Sequence, residues 1–183
     1  DVSQEKIAKS LSGRQYDHIV HFAAQSHVGE SIDNPDEAIQ SNIIGTAKML
    51  RVAAAQEDLQ SFVYISTDEV FGSAHGDDQF NENSPLVPNS PYSASKASGE
   101  LLCRAFNTTF KVPVVITNCT NNYGPYQHEE KLIPRVISCI QSGASIPVFG
   151  TGANVRDWIH VDDHCAAICA ILDDWNTDRI ALF

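Results

Sequence analysis

The sequence predicts an α/β protein in which helices cover both faces of a parallel sheet. Short apolar runs alternate along the chain with longer segments whose apolar residues recur at helical spacing. Hydrophobic residues make up 43% of the 183 residues, which is enough for a packed core, and no internal repeat interrupts the order. Such alternation is typical of parallel sheets, in which ligands bind at the carboxyl ends of the strands.

The first half of the chain contains two predicted strands and two predicted helices. Residues 3–12 are compatible with a short helix, and the apolar run over 16–24, which ends in small residues, suits a buried parallel strand. Pro35 is well placed at a helix start, and helical spacing continues from there to about residue 56. The segment 61–66 is the next strand. We therefore expect ligand-binding loops after both strands.

The second half of the chain continues the alternation. A loop rich in Gly, Asp, Asn and Pro covers residues 72–91, and a helix over 92–110 follows it. The apolar run over 112–117 predicts a third strand, whose loop begins at Asn118. The remaining predicted elements are a helix over 132–141 that Gly143 ends, a strand over 146–149, a helix over 161–175 and a strand over 179–183.

The composition excludes several classes of partner. The formal net charge is −11, so the chain should repel a phosphate backbone, and we expect no nucleic acid partner. No apolar run is long enough to cross a bilayer, and no signal peptide opens the chain, so we expect no membrane association. The chain lacks an initiator methionine and ends in what resembles a strand, which favours a fragment of a longer protein.

The five cysteines favour a reducing cytoplasm, because their number is odd and no CxxC pair occurs. Cys165 and Cys169 lie one helical turn apart in an apolar run, so we expect them to be buried as small hydrophobic residues. The spacing of His160 and His164 could bind a metal on a helix. A polar helix start is the favoured interpretation of these histidines, and we expect no metal.

Two adjacent carboxylates follow the strand over 61–66. Ser66-Thr67-Asp68-Glu69 places a hydroxyl and two acidic groups at a carboxyl edge of the sheet. Different surroundings can separate the pKa values of two carboxyls, so that one acts as an acid and the other as a base. A solvated turn is the alternative, and the four residues taken alone favour it.

Tyr92 and Lys96 open the helix over 92–110. At this spacing they share a helical face, and a lysine charge near the phenol would stabilise the phenolate. Tyrosine titrates at about pH 10, so a working pKa of about 7 requires about 4 kcal/mol of stabilisation. The pattern also occurs by chance on helical surfaces, but both motifs in order at successive strand ends are much stronger evidence than either alone.

The order of these motifs resembles the extended short-chain dehydrogenase/reductase family, and within it most closely the dTDP-glucose 4,6-dehydratases. The Thr-Asp-Glu motif matters most, because epimerases and decarboxylases of this superfamily keep Tyr-x-x-x-Lys but usually lack the acid-base pair. The resemblance covers nearly the whole chain and implies a Rossmann-like fold. The matching segments are 21–28, 66–70, 91–96, 121–126, 130–134 and 154–163.

The resemblance also implies two domains. Residues 1–118 would form a partial NAD-binding Rossmann-like domain without its first βαβ unit, and residues 119–183 would include part of a smaller domain for the nucleotide sugar. The family's glycine-rich turn, which cradles the pyrophosphate, has no match here, so we expect weak NAD binding or none by the chain alone. Asn118 stands where the family commonly has Arg. By analogy, the full-length protein would be a homodimer.

The candidate site residues follow from the resemblance. Catalytic roles fall on Thr67, Asp68, Glu69, Tyr92 and Lys96, and the last two would also hold the nicotinamide ribose. The other residues implied to bind NAD are Phe22, Ala23, Ala24, Gln25, Ser26, either Ser41 or Asn42, and Asn122. Those implied to bind the nucleotide-diphosphate sugar are Ser26, Thr67, Asn121, Lys131, Leu132, Pro147, Val148, Phe149 and Arg156.

The implied reaction converts dTDP-glucose to its 4-keto-6-deoxy product. Tyr92 takes the proton of the 4-hydroxyl, which Thr67 orients, while hydride leaves C4 for NAD. Glu69 removes the C5 proton and Asp68 protonates the departing C6 hydroxyl, after which hydride returns to C6. Two alternatives stay open: a 4-epimerase or decarboxylase of the same superfamily, and a nucleotide-binding piece without turnover.

Overall fold

The chain divides into two compact units in the computed structural model, which describes residues 1–11, 13–74, 76, 79–148 and 150–173. Among the described residues, the first unit comprises those of Asp1–Cys119 together with Leu172 and Asp173, and the second comprises those of Thr120–Ile171. Each unit contains one parallel sheet among its described residues, so the predicted α/β class is confirmed. No helix in the described part of the chain is both long and apolar enough to span a membrane.

The first unit is built on a parallel sheet of β1 (His18–His21), β2 (Ser61–Thr67) and β3 (Val114–Cys119), in the order β1-β2-β3. All three were predicted as strands. The central strand is buried through six of its seven residues, as expected for a strand with neighbours on both sides. Ser66 pairs with Asn118 in the register, so the carboxyl ends of β2 and β3 meet at one edge.

The helices of the first unit differ in detail from those predicted. The predicted helix over 35–56 consists of two α-helices that a π-helical segment joins, and the predicted polar loop after β1 contains a further short helix. A single 3-10 turn follows β2. The bounds are α1 (Glu5–Leu11), α2 (Val28–Asp33), α3 (Pro35–Ala38), the π-helical segment (Ile39–Gly45), α4 (Thr46–Ala54), the 3-10 turn (Asp68–Phe71) and α5 (Pro91–Phe110).

The core of the first unit lies between the sheet and the helices α4 and α5. Phe62 and Tyr64 of β2 are fully buried and belong to one cluster with apolar residues of both helices. Gly99 allows α5 to come this close, because a Cβ atom at that position would lie 2.1 Å from the hydroxyl oxygen of Tyr64. Moving the buried Tyr64 ring aside would destabilise the folded state, because the interior is closely packed.

Replacing Gly99 with alanine should therefore destabilise the fold. Alanine favours a helix over glycine by about 1 kcal/mol, but overpacking a core typically costs about 1–3 kcal/mol. We expect the cost of overpacking to exceed the gain in helix propensity, so the midpoint of urea unfolding should fall. The adjacent Ser98→Ala variant is the control: it makes the same residue at a half-buried site and should unfold as the unchanged protein does. Equal or greater stability in Gly99→Ala would contradict the packing argument.

The second unit contains a two-stranded parallel sheet of β4 (Asn121–Tyr123) and β5 (Trp158–His160), with α6 (Leu132–Ser142) and α7 (Val161–Asp173). Both helices were predicted. Gly143 ends α6 in a left-handed conformation with φ of 68°, as the sequence indicated.

Two predictions for this part of the chain are wrong. Residues 146–148 form no strand, and Val148 is 67% exposed, while Phe149 lies outside the described residues. Cys165 and Cys169 are exposed rather than buried, because α7 turns the neighbouring face, with His164 and Ile168, inward. The predicted helix positions 12 and 174–175, and the predicted strand over 179–183, also lie outside the described residues.

Candidate active site

The start of α5 is fixed by polar contacts on both sides. Ser90 caps the helix: its hydroxyl accepts from the Ser93 amide at 3.1 Å, and the Ser93 hydroxyl accepts from the Ser90 amide at 3.0 Å. Pro91 occupies the first helical turn, where no amide hydrogen is needed. The Tyr92 amide donates to the hydroxyl of Ser31 in α2 at 3.1 Å. Tyr92 thus begins a well-anchored helix.

Lys96 lies one turn further along α5 and is only 4% exposed. Its ammonium donates to the carbonyl of Ile65 at 2.7 Å and lies 4.1 Å from the centre of the Tyr64 ring. Burial lowers the pKa of Lys96 from 10.5 to about 8, although the nearby Cys103 and Glu100 act in the opposite direction. A buried cation at the edge of a sheet is costly and is characteristic of functional sites.

The two carboxylates lie in the 3-10 turn that continues β2. Thr67 caps this turn, since its hydroxyl accepts from the Glu69 amide at 3.3 Å and donates to a carboxylate oxygen of Asp68 at 3.1 Å. All three side chains are half-buried. A turn exposed to water would leave these groups largely accessible, so their partial burial favours a site over the solvated-turn alternative.

The phenol of Tyr92 lies close to this turn. Burial raises the pKa of Tyr92 above its ordinary value of 10, and the charges of Glu69, Cys119 and Asp68 raise it further. The nearby hydroxyl of Thr67 lowers the pKa of Tyr92 and so acts in the opposite direction. In the chain by itself burial and the two carboxylates dominate around the phenol, and the stabilisation of the phenolate by Lys96 in the enzyme with its cofactor stays a prediction.

The loop after β1 is held by one buried amide. Asn42, in the π-helical segment, is 1% exposed; it accepts from the Gln25 amide at 2.7 Å and donates to the Gln25 carbonyl at 2.9 Å. It also donates to the hydroxyl of Ser95 in α5 at 2.8 Å. Asn42 thus ties the loop to the helix that carries Tyr92. Ser41 beside it is half-buried.

The same loop lines an open cleft of about 280 Å³. The small side chains of Ala23, Ala24 and Ser41 form part of its wall, where a flat ligand can approach the backbone, and the rest of the wall consists of Asp1, Val2, Gln25 and Glu37. Phe22, at 56% exposure, and Ser26 are accessible next to it. The predicted cofactor residues that line the cleft are Ala23, Ala24, Gln25 and Ser41.

The remaining predicted site residues belong to the second unit. The side-chain oxygen of Asn122 accepts from Nδ1 of the His164 ring at 2.8 Å, and burial lowers the pKa of that histidine. Lys131 occupies the N-cap position of α6, and its ammonium lies 3.4 Å from the carboxylate of Glu130. The others stand at accessible positions: Asn121, half-buried in β4, and Leu132, Pro147, Val148 and Arg156, all exposed.

Sequence reasoning missed two polar residues of α5 that contact the site. Ser95 bonds to Asn42, and Glu100 accepts from the Ser66 hydroxyl at 2.5 Å and from the Asn118 amide at 2.7 Å. The spacing of Glu100 along the helix is a sequence signal that could have identified it. Glu100 follows Lys96 by four residues, the same interval that separates Lys96 from Tyr92, so all three share a helical face.

Comparison with known proteins places this geometry in context. A model of the NAD dependent epimerase/dehydratase family matches residues 2–180. The dTDP-glucose 4,6-dehydratase of Xanthomonas campestris pv. campestris (strain B100) is 45% identical over 174 residues, which cover 91% of this chain and 50% of that protein. The chain thus spans about half the length of the curated relatives it matches.

Solved structures show the same similarity. DesIV, a dTDP-glucose 4,6-dehydratase from Streptomyces venezuelae solved with NAD bound, has a TM-score of 0.91 and 43% identity, covering 100% of this chain and 55% of that one. The UDP-glucuronic acid 4-epimerase of Bacillus cereus, in complex with UDP-glucuronic acid and NAD, has a TM-score of 0.90 at 28% identity, covering 100% and 57%. These similarities confirm the Rossmann-like fold.

Proposed function

The chain belongs to the NAD dependent epimerase/dehydratase family, and from this membership we propose that the protein containing it is a dTDP-glucose 4,6-dehydratase that uses NAD. One observation carries the choice within the family: two half-buried carboxylates, Asp68 and Glu69, lie beside the phenol of Tyr92. Loss of water across C5 and C6 needs an acid and a base in addition to the group that serves the 4-hydroxyl. An epimerase does not need that extra pair.

The residues at the end of β1 and the start of α5 fit NAD. Small side chains along the cleft permit a flat ring system to approach the backbone, and Asn42 holds the loop rigid. One Lys96 hydrogen is directed at the Ile65 carbonyl, and the other ammonium hydrogens are the donors we assign to the nicotinamide ribose. When bound, NAD would accept hydride from C4, return it to C6 and add a positive charge near the phenol.

Each proton transfer is then assigned to a different side chain of this chain. Tyr92 takes the proton of the 4-hydroxyl, which the Thr67 hydroxyl orients. Glu69 takes the proton at C5, which the neighbouring ketone makes acidic, and Asp68 protonates the departing 6-hydroxyl. The hydrogen bond from Thr67 to Asp68 fixes one carboxylate in the turn and leaves the two acids in different surroundings, as a pair of groups with separate proton-transfer roles requires.

The second unit contains candidate residues for binding the nucleotide-diphosphate sugar. In the second unit the candidates include two cations, Lys131 and Arg156, whose charges suit a diphosphate. Residues 1–118 are proposed as part of the cofactor domain and residues 119–183 as part of the sugar-nucleotide domain. The homodimer and the cytoplasmic location remain predictions.

The test uses the natural gene product that carries this chain, purified and incubated with dTDP-glucose. We expect a 4-keto-6-deoxy sugar nucleotide, which is recognised by its absorbance in alkali. A clean 4-epimer would overturn the proposal in favour of the epimerase, the second candidate, which the similarity to the UDP-glucuronic acid 4-epimerase makes the natural alternative. Binding of dTDP-glucose without any product would favour the non-catalytic alternative instead.

A further inference from the structure

Three residues of α5 reach three successive residues of β2. The phenol of Tyr92 lies near the side chain of Thr67, and Lys96 donates to the carbonyl of Ile65. The third contact lies between them on the strand and one turn further along the helix: Glu100 accepts from the hydroxyl of Ser66 at 2.5 Å. One face of α5 therefore contacts the carboxyl end of β2.

Glu100 also forms a hydrogen bond with the neighbouring strand, β3. The carboxylate oxygen that accepts from Ser66 accepts from the side-chain amide of Asn118 as well, at 2.7 Å. The same Asn118 amide donates to the carbonyl of Thr67 at 3.1 Å. Because Ser66 and Asn118 are paired in the register of β2 and β3, Glu100 links both strand ends directly beneath the 3-10 turn.

The burial of this carboxylate needs an explanation. Glu100 is 1% exposed, and burial raises its pKa above the ordinary value of 4.5. A buried acid is costly, and an apolar residue in its place would often be as stable or more so. Buried polar networks can instead specify a single geometry, and here Ser66 and Asn118 share one acceptor on Glu100, while the side-chain oxygen of Asn118 is buried with no partner among the described residues. The geometry specified here is that of the strand end that continues into Thr67, Asp68 and Glu69.

We propose that Glu100 is a positioning residue, which sets the Thr67-Asp68-Glu69 turn relative to Tyr92 and Lys96 through Ser66 and Asn118. The inference rests on the proposed function, because it is the alignment of acid, base and phenol that requires such precision. Misplacement of a reacting group by about 1 Å can cost about 100-fold in rate. The effect should fall on kcat, since the side chain itself touches neither ligand site.

The test compares Glu100→Ala with Glu100→Gln in the natural gene product. The amide oxygen of glutamine can still accept from both donors, so Glu100→Gln should keep kcat within about threefold. Glu100→Ala leaves the serine and asparagine without their acceptor and should lower kcat by about 10- to 100-fold, with KM for dTDP-glucose changed less than about threefold. Glu57→Ala, at an exposed glutamate, is the matched control and should be unchanged.

Two results would overturn the inference. One is an unchanged kcat in Glu100→Ala. The other is an equal loss in both variants with a shifted pH profile, which would assign the carboxylate an electrostatic role. Should Glu100→Ala not fold, Asn118→Ala decides the question, because it frees the Thr67 carbonyl while Glu100 remains; there too we expect lower kcat at constant KM, and wild-type kcat would refute the idea.

A readout without turnover separates this inference from the proposed function. Amide hydrogen exchange over residues 66–71 should accelerate in Glu100→Ala and stay slow in Glu100→Gln. Absence of dehydratase activity in the unmodified protein would overturn the proposed function alone. Equal protection of this segment in all variants would overturn the positioning role alone.

Discussion

Replacement of Glu69 with glutamine is expected to stop the loss of water while leaving substrate binding intact. Glutamine has nearly the same shape but cannot take the C5 proton, so we expect kcat to fall by at least about 100-fold. Asp68→Asn should also slow elimination, and its amide oxygen can still accept from the Thr67 hydroxyl, which preserves the turn. The alkaline absorbance of the product and the exchange of the C5 hydrogen in heavy water measure both effects.

The matched controls for these variants are Glu82→Gln and Asp58→Asn, which make the same changes at exposed positions. Both should retain full activity, because surface substitutions away from a site rarely matter. Calorimetric binding of dTDP-glucose should be similar in all four variants. If Glu69→Gln still formed product at the unmodified rate, the acid-base pair would not be the source of the elimination, and the choice of a dehydratase over an epimerase would lose its support.

The parts of the fold that were predictable are those whose residues carry a local signal. The strands of the first sheet are runs of Val, Ile and aromatic residues, and their ends were located to within about two or three residues. The helix over 92–110 was predicted from its helical spacing, and Ser90 and Pro91 are further local signals of its start. Because parallel strands share a carboxyl edge, the proximity of the Thr67-Asp68-Glu69 turn to Tyr92 also followed from the sequence.

The parts that were missed depend on distant partners. The π-helical segment Ile39–Gly45 has no local signature; it brings Asn42 to the loop after β1 and to Ser95, and those contacts form only in the folded chain. Strand β4 is polar and three residues long, and it becomes a strand by pairing with β5. Conversely, the apolar residues 146–148 have a strand-like composition but no ladder among the described residues. Glu100 was overlooked because its role depends on Ser66 and Asn118.

Lys96→Met is expected to abolish activity and at the same time to stabilise the folded protein at neutral pH. In the folded chain the pKa of Lys96 is about 8, against 10.5 ordinarily. A difference of this size corresponds to about 3 kcal/mol of penalty for keeping the charge buried. Methionine removes that penalty but forfeits the hydrogen bond to Ile65 and the contact with the Tyr64 ring, about 1–2 kcal/mol together. We therefore expect a net gain of about 1 kcal/mol.

The lowered pKa of Lys96 determines how the stability difference between the two proteins changes with pH. The folded state holds the Lys96 proton less tightly than the unfolded state, so the penalty is complete below pH 8 and declines as the pH rises from 8 to 10.5. Urea unfolding of both proteins should show the advantage of Lys96→Met at pH 7 and its decline across that window. Lys6→Met, at an exposed position in α1, should show no advantage at any pH. A variant less stable than the unmodified protein at pH 7, with a difference that stays constant up to pH 10.5, would mean that the buried ammonium costs nothing. The folded protein would then not lose stability by keeping a cation where the ribose is proposed to bind.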